Sequence, residues 1–400
     1  MRTWVLLIPT LAACTERVDL GAVEPAAAVV VPPSPSTSSA PRVVQMAPWG
    51  QGMCGLFDDH QVRCWGYRAP HEVWVVQGLT GVAIAATDDS GGEGRICAIS
   101  AAGTLNCVVA SCVLRGDDYP LDCLPHEPPY EVNVAPPVVS VALDRWGGAA
   151  LRADGTFQAW GTAVPRCIDP PPPPSWDDGL NYDVVIDPVA LPRPIVALDH
   201  GGTNVCLVTD DGRVHCSVLP EGSDTGCVWP PWIMLKAGST DEIEDAIDVT
   251  VAMSLVCILH RTGHVTCYGM AEDLGIGHYE YDFMRAEVSG IDDAVHIAGT
   301  NASTCAIRRD GTLWCWGVNV SGELGPGPNI SADGGMDDIV GEAGYPFVVA
   351  TPRRIEGVEN VRVLGASDSY FCAGEADGDI WCWGWPTGAT LYRIVVPPTQ

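Results

Sequence analysis

The sequence predicts an all-β fold made of seven repeated four-stranded sheets, and three observations lead to this prediction. Six cysteine pairs recur with the same ten-residue separation, each pair brackets a turn, and a short apolar segment lies upstream of every pair. The composition agrees, because 44 glycines and 33 prolines in 400 residues favour short strands joined by turns. The length therefore reflects one repeated architecture rather than several unrelated domains.

The cysteine spacing predicts a hairpin in each repeat. If Ala101–Gly103 forms a three-residue loop whose last residue is left-handed, Cys97 and Cys107 lie directly opposite each other on paired strands. The other copies have Gly at the same place, except the first, which has His60, a residue type that tolerates this conformation. We therefore expect six disulfides: Cys54/Cys64, Cys97/Cys107, Cys206/Cys216, Cys257/Cys267, Cys305/Cys315 and Cys372/Cys382.

Strand alternation places these disulfides on a packed face. The residues two positions inside each cysteine share its face, and eleven of these twelve residues are apolar. A seventh copy, Ala149–Ala159, keeps the turn glycine Gly155 and the apolar pair Leu151/Phe157, but has Ala at both cysteine positions. Joint loss of both partners is expected of a disulfide. A zinc site would need Cys-x-x-Cys pairs or suitable His spacing, which the sequence lacks, so we predict no metal.

Apolar segments upstream of the hairpins predict one further strand per unit. Another short run, such as Arg353–Ile355, precedes most of these segments, which gives about four strands per unit, as in a blade of a β-propeller. The first unit has no clear outermost strand before Val43, whereas Tyr392–Val396 follows the last hairpin. We therefore expect the C-terminal strand to join the first blade and close a seven-bladed ring. The upstream segments are 43–46, 82–85, 139–142, 195–198, 247–250, 295–298 and 361–364.

A family resemblance follows from the residues after the second cysteine position. Four units continue with Trp-Gly, and Asp310–Gly317 is followed by Asn319–Gly325, which contains Gly-Glu-Leu-Gly. These motifs resemble the regulator of chromosome condensation repeat over about 43–397, most strongly at 294–325. Only one unit keeps Gly-Glu-Leu-Gly, and Ser217 and Tyr268 replace the Trp in two others.

The resemblance implies a seven-bladed propeller whose loops bind a protein partner. The nuclear protein that gives the family its name binds chromatin and acts on a small GTPase, and a secreted bacterial member inhibits β-lactamases. Guanine-nucleotide exchange is therefore an alternative function by analogy only.

The amino terminus predicts export and lipid anchoring. Met1–Ile8 combines a positive charge with a short apolar run, and Leu11–Cys14 resembles the lipobox of bacterial lipoproteins. We expect residues 1–13 to be a signal peptide, Cys14 to be acylated, 14–42 to be an Ala/Pro/Ser-rich tether and 43–400 to be the propeller. A plain signal peptide or a mis-assigned start codon are the alternatives. Acylation would leave sixteen of the 17 cysteines, an even number that suits disulfides in a bacterial envelope.

The charge and the motif search limit the classes of function. A formal charge of -29 repels phosphate backbones, so we expect no nucleic-acid partner. We also expect no cofactor, no catalytic residues, a monomer, and membrane contact only through the lipid, since metalloprotease, phosphate-loop and nucleophile-elbow motifs are absent from the sequence. Acidic and histidine residues near the hairpins are interpreted as turn residues: Asp58, Asp59, Asp210, Asp211, Asp310, His260 and His264.

Four further cysteines lie in inserted loops. Cys112 and Cys123 flank one insertion, which favours a local bridge, while Cys167 and Cys227 could join neighbouring blades. Four cysteines allow three connectivities, and the choice stays open. Three tryptophans near these loops are candidates for a partner contact surface, or else cover the ends of the blades: Trp176, Trp229 and Trp232.

These observations favour a non-enzymatic, lipid-anchored envelope protein whose propeller loops bind an unidentified protein. A carbohydrate-active or other hydrolytic enzyme with carboxylates at the axis is the rival, and a structural spacer without a specific partner is a third reading. Two or three Asp, Glu or His side chains converging in an axial pocket would favour the enzyme. A loop face with exposed aromatic side chains would favour binding.

Overall fold

A computed structural model describes most of the repeat region. The described residues are 40–49, 52–66, 73–87, 93–114, 121–125, 128–144, 147–161, 193–201, 204–217, 243–252, 255–270, 283–326, 348–367, 369–385 and 387–397. The predicted signal peptide, Cys14 and nearly all of the predicted tether lie outside these residues, so those predictions remain untested.

The described chain folds into seven antiparallel sheets, one for each predicted repeat, which we number blades 1 to 7. Blades 1 and 2 contain β1 (Val43–Trp49), β2 (Gly52–Phe57), β3 (Gln61–Gly66) and β4 (Val73–Thr80), then β5 (Ala83–Ala86), β6 (Glu93–Ile99), β7 (Leu105–Leu114), β8 (Leu121–Pro125) and β9 (Tyr130–Glu131). Blades 3 and 4 contain β10 (Val138–Asp144), β11 (Gly147–Arg152) and β12 (Phe157–Gly161), then β13 (Ile195–Gly201), β14 (Asn204–Thr209) and β15 (Val214–Ser217).

The last three blades each have four strands. Blade 5 contains β16 (Ala246–Val251), β17 (Leu255–His260), β18 (Val265–Met270) and β19 (Phe283–Glu287). Blade 6 contains β20 (Ala294–Gly299), β21 (Ser303–Arg308), β22 (Leu313–Val318) and β23 (Val348–Arg354). Blade 7 contains β24 (Val361–Ser367), β25 (Tyr370–Glu375), β26 (Ile380–Gly384) and β27 (Gly388–Ile394).

The strand order in every blade follows the chain, so the first strand always forms one edge of its sheet. These seven first strands contact one another in cyclic order, from β1 through β5, β10, β13, β16, β20 and β24 back to β1. They therefore surround a common axis, and the predicted all-β propeller is confirmed. In blade 2, β8 and β9 both pair with β7 and together form the outer strand. In blades 3 and 4, the chain that follows the third strand lies outside the described residues. A membrane-spanning helix is not found among the described residues.

The predicted hairpin register is confirmed in all six cysteine-bearing copies. In blade 2 the Gly103 amide donates to the Ser100 carbonyl at 2.9 Å and Gly103 has φ 79°, as a three-residue loop requires. His60 takes the same left-handed conformation, with φ 64°. In blade 3, Ala149 pairs with Ala159 at the equivalent position.

Each cysteine pair is directly opposite and disulfide-bonded, with Cα atoms 4.0 or 4.1 Å apart. All twelve cysteines are at most 1% exposed, as their predicted position on a packed face requires. The six bridges are Cys54–Cys64, Cys97–Cys107, Cys206–Cys216, Cys257–Cys267, Cys305–Cys315 and Cys372–Cys382.

The disulfides lie in the cores between neighbouring blades. Cys257 and Cys267 of blade 5 share a buried cluster with Trp316 of blade 6, and Cys257 Sγ lies 3.5 Å from Thr304 Oγ1. Five of the six disulfides meet the Trp or Tyr that follows the second cysteine position of the next blade, so the Trp-Gly motif is a packing signal. These aromatic side chains are Trp65, Trp160, Tyr268, Trp316 and Trp383.

The predicted closure by the C-terminal strand is wrong. β27 pairs with β26 in blade 7, and blade 1 is built from β1 to β4 alone. The prediction assigned each outer strand to the hairpin after it, but β23, which contains Arg353, pairs with β22 before it. This one-strand shift made blade 1 look incomplete. The ring closes instead by side-chain packing, in a cluster that joins Met46, Met53 and Trp65 of blade 1 to the Cys372–Cys382 disulfide of blade 7.

Candidate functional site: two faces and an axial mouth

The ring has two chemically different ends. One end, which we name the turn face, carries the turns between the second and third strands and the connections into each next blade. The other end, the loop face, carries the connections between first and second strands and between third and fourth strands.

The turn face is held by contacts repeated from blade to blade. The first residue of an inner strand donates its amide to the turn glycine of the preceding blade, as in Ala294 N to Gly263 O at 3.0 Å and Val361 N to Gly311 O at 2.9 Å. A Cβ added to Gly263 would lie 2.7 Å from the backbone of Asp293, so the turn fits closely against the connection. These repeated bonds position the inner strands around the axis.

Many charged side chains on the turn face form ion pairs with one another. Arg63 makes a two-bond contact with Asp59 at 2.6 and 2.8 Å, for example. Hydrogen bonds from the hydroxyl and amide of Thr312 hold the pKa of Asp310 below its usual range, which favours its ionised form. Further pairs are Arg42–Asp58, Arg152–Asp154, Arg193–Asp210, Arg213–Glu244, His260–Asp245, Arg308–Asp293, Arg354–Glu359 and Arg393–Asp379.

Within the described part of the chain, one acidic group has carboxylates close enough to share a metal ion: Glu375, Asp377 and Asp379. All three already serve other contacts. Glu375 accepts from the Glu359 amide, Asp377 accepts from the Asp379 amide, and Asp379 pairs with Arg393. We assign no ion to this group.

The axial opening at the turn face is lined by equivalent residues of the inner strands. A register shift near the start of most inner strands leaves one residue without a cross-strand partner, as at Val44 between Val43 and Gln45. Six of the seven equivalent residues are aliphatic, and the seventh is an arginine. This set, which we name the aliphatic ring, consists of Val44, Val82, Val139, Val196, Ile247, Val295 and Arg362.

Polar side chains join neighbouring inner strands along the axis. Gln45 exchanges two hydrogen bonds with the Ile84 backbone, each at 2.9 Å. Asp199 Oδ2 accepts from the Val251 amide at 2.7 Å, which joins blade 4 to blade 5. These side chains stabilise the inner strands, which have no hydrogen-bonded neighbour on the axial side.

One imidazole–carboxylate pair stands out at the axis. His296 Nδ1 lies 3.2 Å from Asp248 Oδ2, which joins blade 6 to blade 5. Desolvation opposes protonation of His296, but Asp248, a backbone hydrogen bond at Leu364 and the charge of Asp199 outweigh it and raise the pKa of His296. The side chains of His296 and Asp248 are 43% and 32% exposed, so solvent still reaches the pair. The sequence search missed this pair, although both residues follow the aliphatic-ring position of their strand.

The loop face differs from the turn face. In the part of this face that the structure describes, Trp385 and Val320 are exposed on the neighbouring blades 7 and 6. Their loops touch, because a Cβ on Gly322 would overlap the Ala389 amide nitrogen.

The Gly-Glu-Leu-Gly motif supports this corner of the loop face. The Glu323 carbonyl accepts from the Trp383 indole at 2.6 Å, and the Leu324 amide donates to Asn319 Oδ1 at 3.0 Å. Burial raises the pKa of the Glu323 carboxyl, which accepts from the Ser321 amide at 2.8 Å. The motif therefore serves to hold the loop of blade 6 against blade 7.

The other predicted site residues have mixed outcomes. The backbone register places Cys112 opposite Cys123, as a local bridge would need, but their bonding remains a prediction. Cys167, Cys227 and the candidate contact residues lie outside the described residues: Trp176, Trp229 and Trp232.

The histidines near one hairpin do lie at its turn, as the sequence predicts. His260 bonds Asp245 and Thr266, at 2.6 and 2.8 Å, and His264 pairs with Glu287 at 2.8 Å. A shallow pocket of about 350 Å³ adjoins His264 and the 287–292 connection.

Comparison with known proteins supports the repeat and the fold. Residues 294–323 match the Regulator of chromosome condensation (RCC1) repeat. No curated protein matches the chain.

Solved propellers resemble the chain over most of its length at low sequence identity. Human WBSCR16 has a TM-score of 0.58 at 16% identity, covering 82% of this chain and 86% of that one. Yeast RCC1 (Prp20), solved with Kap60, has a TM-score of 0.53 at 16% identity, and the match covers 88% of this chain and 74% of that one. Prp20p of Saccharomyces cerevisiae, from a study of its binding to Gsp1p and histones, has a TM-score of 0.52 at 17% identity. That match covers 88% of this chain and 76% of the other. At such identities the likeness establishes the fold alone.

Proposed function

We propose that this chain, a propeller with a regulator of chromosome condensation repeat, is a non-enzymatic scaffold that binds another protein through its loop face. One observation carries the proposal, namely the difference between the two faces. The turn face consists of tight turns with many internal ion pairs, and its exposed valines surround the axial opening, whereas the loop face exposes the aromatic side chain of Trp385 together with Val320. Exposed aromatic residues are the side chains most often found at the centres of protein interfaces.

The longest connections between strands start at the loop face, which favours this face as the binding surface. The 271–282 connection joins β18 to β19, and the 327–347 connection joins β22 to β23, so both start and end at this face. The chain also leaves β12 and β15 at the loop face, before the segments that contain Trp176, Trp229 and Trp232. Loops on a rigid scaffold commonly carry the binding residues of a protein.

An anchor at Cys14 would suit this orientation. β1 begins at the turn face, where the Arg42 amide donates to Asp58 Oδ1 at 3.0 Å and Pro41 is buried. A chain tethered through its amino terminus would therefore direct the turn face toward the membrane and the loop face away from it. This arrangement leaves the proposed contact surface open to a partner in the envelope.

The contact surface is tested by a matched pair of variants. Wild type, Trp385→Ala and Tyr130→Ala are used to capture partners from native envelope extract, and the captured protein is then titrated against each variant. Tyr130 is also exposed, but lies on the outer edge of blade 2. We expect Trp385→Ala to weaken binding about tenfold or more, as at an aromatic hot spot, and Tyr130→Ala to bind as wild type. Equal binding by Trp385→Ala would contradict a loop-face site.

The anchor is tested separately. We expect Cys14→Ser to move the protein from the membrane fraction to the soluble envelope fraction, because one acylated cysteine supplies the membrane affinity. Cys112→Ser is the control, since it removes a cysteine without touching the proposed acylation site. Retention of Cys14→Ser in the membrane fraction would show that the lipobox interpretation is wrong.

A hydrolytic enzyme is the second candidate, and the Asp248–His296 pair favours it. A carboxylate beside a solvent-accessible imidazole is a common general-base arrangement. Asp248→Asn should then abolish hydrolysis of envelope glycans while protein binding at the loop face persists. Wild-type protein without hydrolytic activity on such glycans would remove this candidate.

A further inference from the structure

The aliphatic ring is a concentrated exposed apolar surface. Among the described residues, eight large hydrophobic side chains are exposed, and four of them belong to this ring. These four, Val44, Val82, Val139 and Val295, are 40–50% exposed and come from four different blades around one opening. Apolar side chains gathered in this way commonly mark a surface that another segment covers.

We propose that the chain's own segment Ala26–Pro33, which lies outside the described residues, covers the aliphatic ring. The place where the described chain begins supports this docking. Pro41 is buried at the turn face and Arg42 is held there by Asp58, so the chain upstream of β1 starts beside the opening. Val44, only three residues after Pro41, is itself a member of the ring.

The length of chain between the segment and the first described residue also allows docking. Six residues, Ser34–Ser39, separate the apolar segment from the first described residue, Ala40. Fully extended, six residues span about 20 Å, so the apolar segment can fold back toward Val44, a ring member only four residues after Ala40. Because the segment is tethered beside the ring, its effective concentration is about millimolar, and weak apolar contacts suffice for docking.

The composition of the segment also suits the aliphatic ring. Ala26–Pro33 reads Ala-Ala-Ala-Val-Val-Val-Pro-Pro, and the whole stretch 25–41 has no charged residue. An uncharged segment is not repelled by a protein with a formal charge of -29. Small and branched aliphatic side chains match the Val and Ile side chains of the ring. Docking of this segment is compatible with acylation of Cys14, because residues 15–25 would still link the lipid to the docked segment.

The test places a photo-reactive benzoylphenylalanine at Val30 of the full-length chain. After irradiation, mass spectrometry identifies the crosslinked peptides. We expect crosslinks within one chain to the starts of inner strands, at the peptides that contain Val82, Val139 and Val295. Val139→Asp combined with Val295→Asp should reduce their yield at least fivefold, because the two carboxylates make the ring polar. Val395→Asp, at an exposed valine that follows the outermost strand of blade 7, is the matched control and should leave the yield unchanged.

Other outcomes would overturn the inference. Crosslinks between two chains at the ring would identify a second copy as the occupant. Crosslinks spread over the loop face, or a yield insensitive to the ring variants, would show that the segment does not dock there. A second probe at Ala28, within the same segment, keeps the test decisive if Val30 is intolerant of replacement. Neither result depends on the Trp385 experiment, so the two proposals can fail separately.

Discussion

At the scale of single residues, the turn glycines combine two constraints. Gly263 has φ 94°, which disfavours any side chain, and its missing Cβ also leaves room for the Asp292–Asp293 backbone. Gly290 has φ 76°, but a Cβ added there would meet nothing within 4 Å, so only the first constraint applies. Conformation and close packing are therefore separable in the same blade.

We expect Gly263→Ala to destabilise the protein far more than Gly290→Ala. The left-handed conformation alone costs about 1–2 kcal/mol for a side chain, and the clash at Gly263 adds about 1–3 kcal/mol. Urea unfolding of the disulfide-intact variants measures both. Equal losses would show that the turn does not pack on the connection to the next blade.

At the scale of elements, the inner strands are joined by side chains rather than by a sheet. β16, β20 and β24 meet at His296, which pairs with Asp248 on β16 and hydrogen-bonds the Leu364 backbone on β24. Blades 5, 6 and 7 are therefore coupled through one imidazole whose charge depends on pH.

This coupling predicts a pH-dependent stability. Because the folded-state pKa of His296 is raised, its contribution is fully present below the unfolded value of about 6.5 and is lost as pH rises through the folded pKa. The difference in unfolding free energy between wild type and His296→Gln should thus be larger at pH 5.5 than at pH 8.5. Asp248→Asn is the control, and in that background most of the pH dependence of the His296→Gln effect should vanish. A difference independent of pH would contradict the assignment.

At the scale of the whole molecule, closure rests on packing between blades 7 and 1. A Cβ on Gly374 would lie 2.6 Å from Val43 Cγ1, so the two blades fit closely where the ends of the ring meet. No strand exchange locks this junction, since β1 and β27 lie in different sheets.

A double-mutant cycle tests this junction. Gly374→Ala should destabilise by about 1–3 kcal/mol in wild type, as overpacking does, and by much less in a Val43→Ala background, because the clashing methyl group is gone. Gly299→Ala on β20, whose Cβ would meet only ordinary contacts, should show no coupling to Val43→Ala. Additive effects of Gly374→Ala and Val43→Ala would place blade 7 away from blade 1.

Local spacing was enough to predict the hairpins. A ten-residue cysteine separation with a turn glycine determines which residues face each other, because strand alternation and turn geometry act within a few residues. The paired loss of both cysteines at Ala149 and Ala159 follows from the same local register.

The sequence by itself therefore determined the blades, their disulfides and their packed faces, whereas tertiary structure alone decided how the blades meet. The partner of an edge strand such as β23 depends on which neighbouring edge it reaches after a long connection, and spacing along the chain does not encode that choice. The pair Asp248–His296 and neighbouring members of the aliphatic ring likewise lie about 40–70 positions apart in sequence. Only closure of the ring, which brings seven equivalent strands around one axis, makes these residues neighbours.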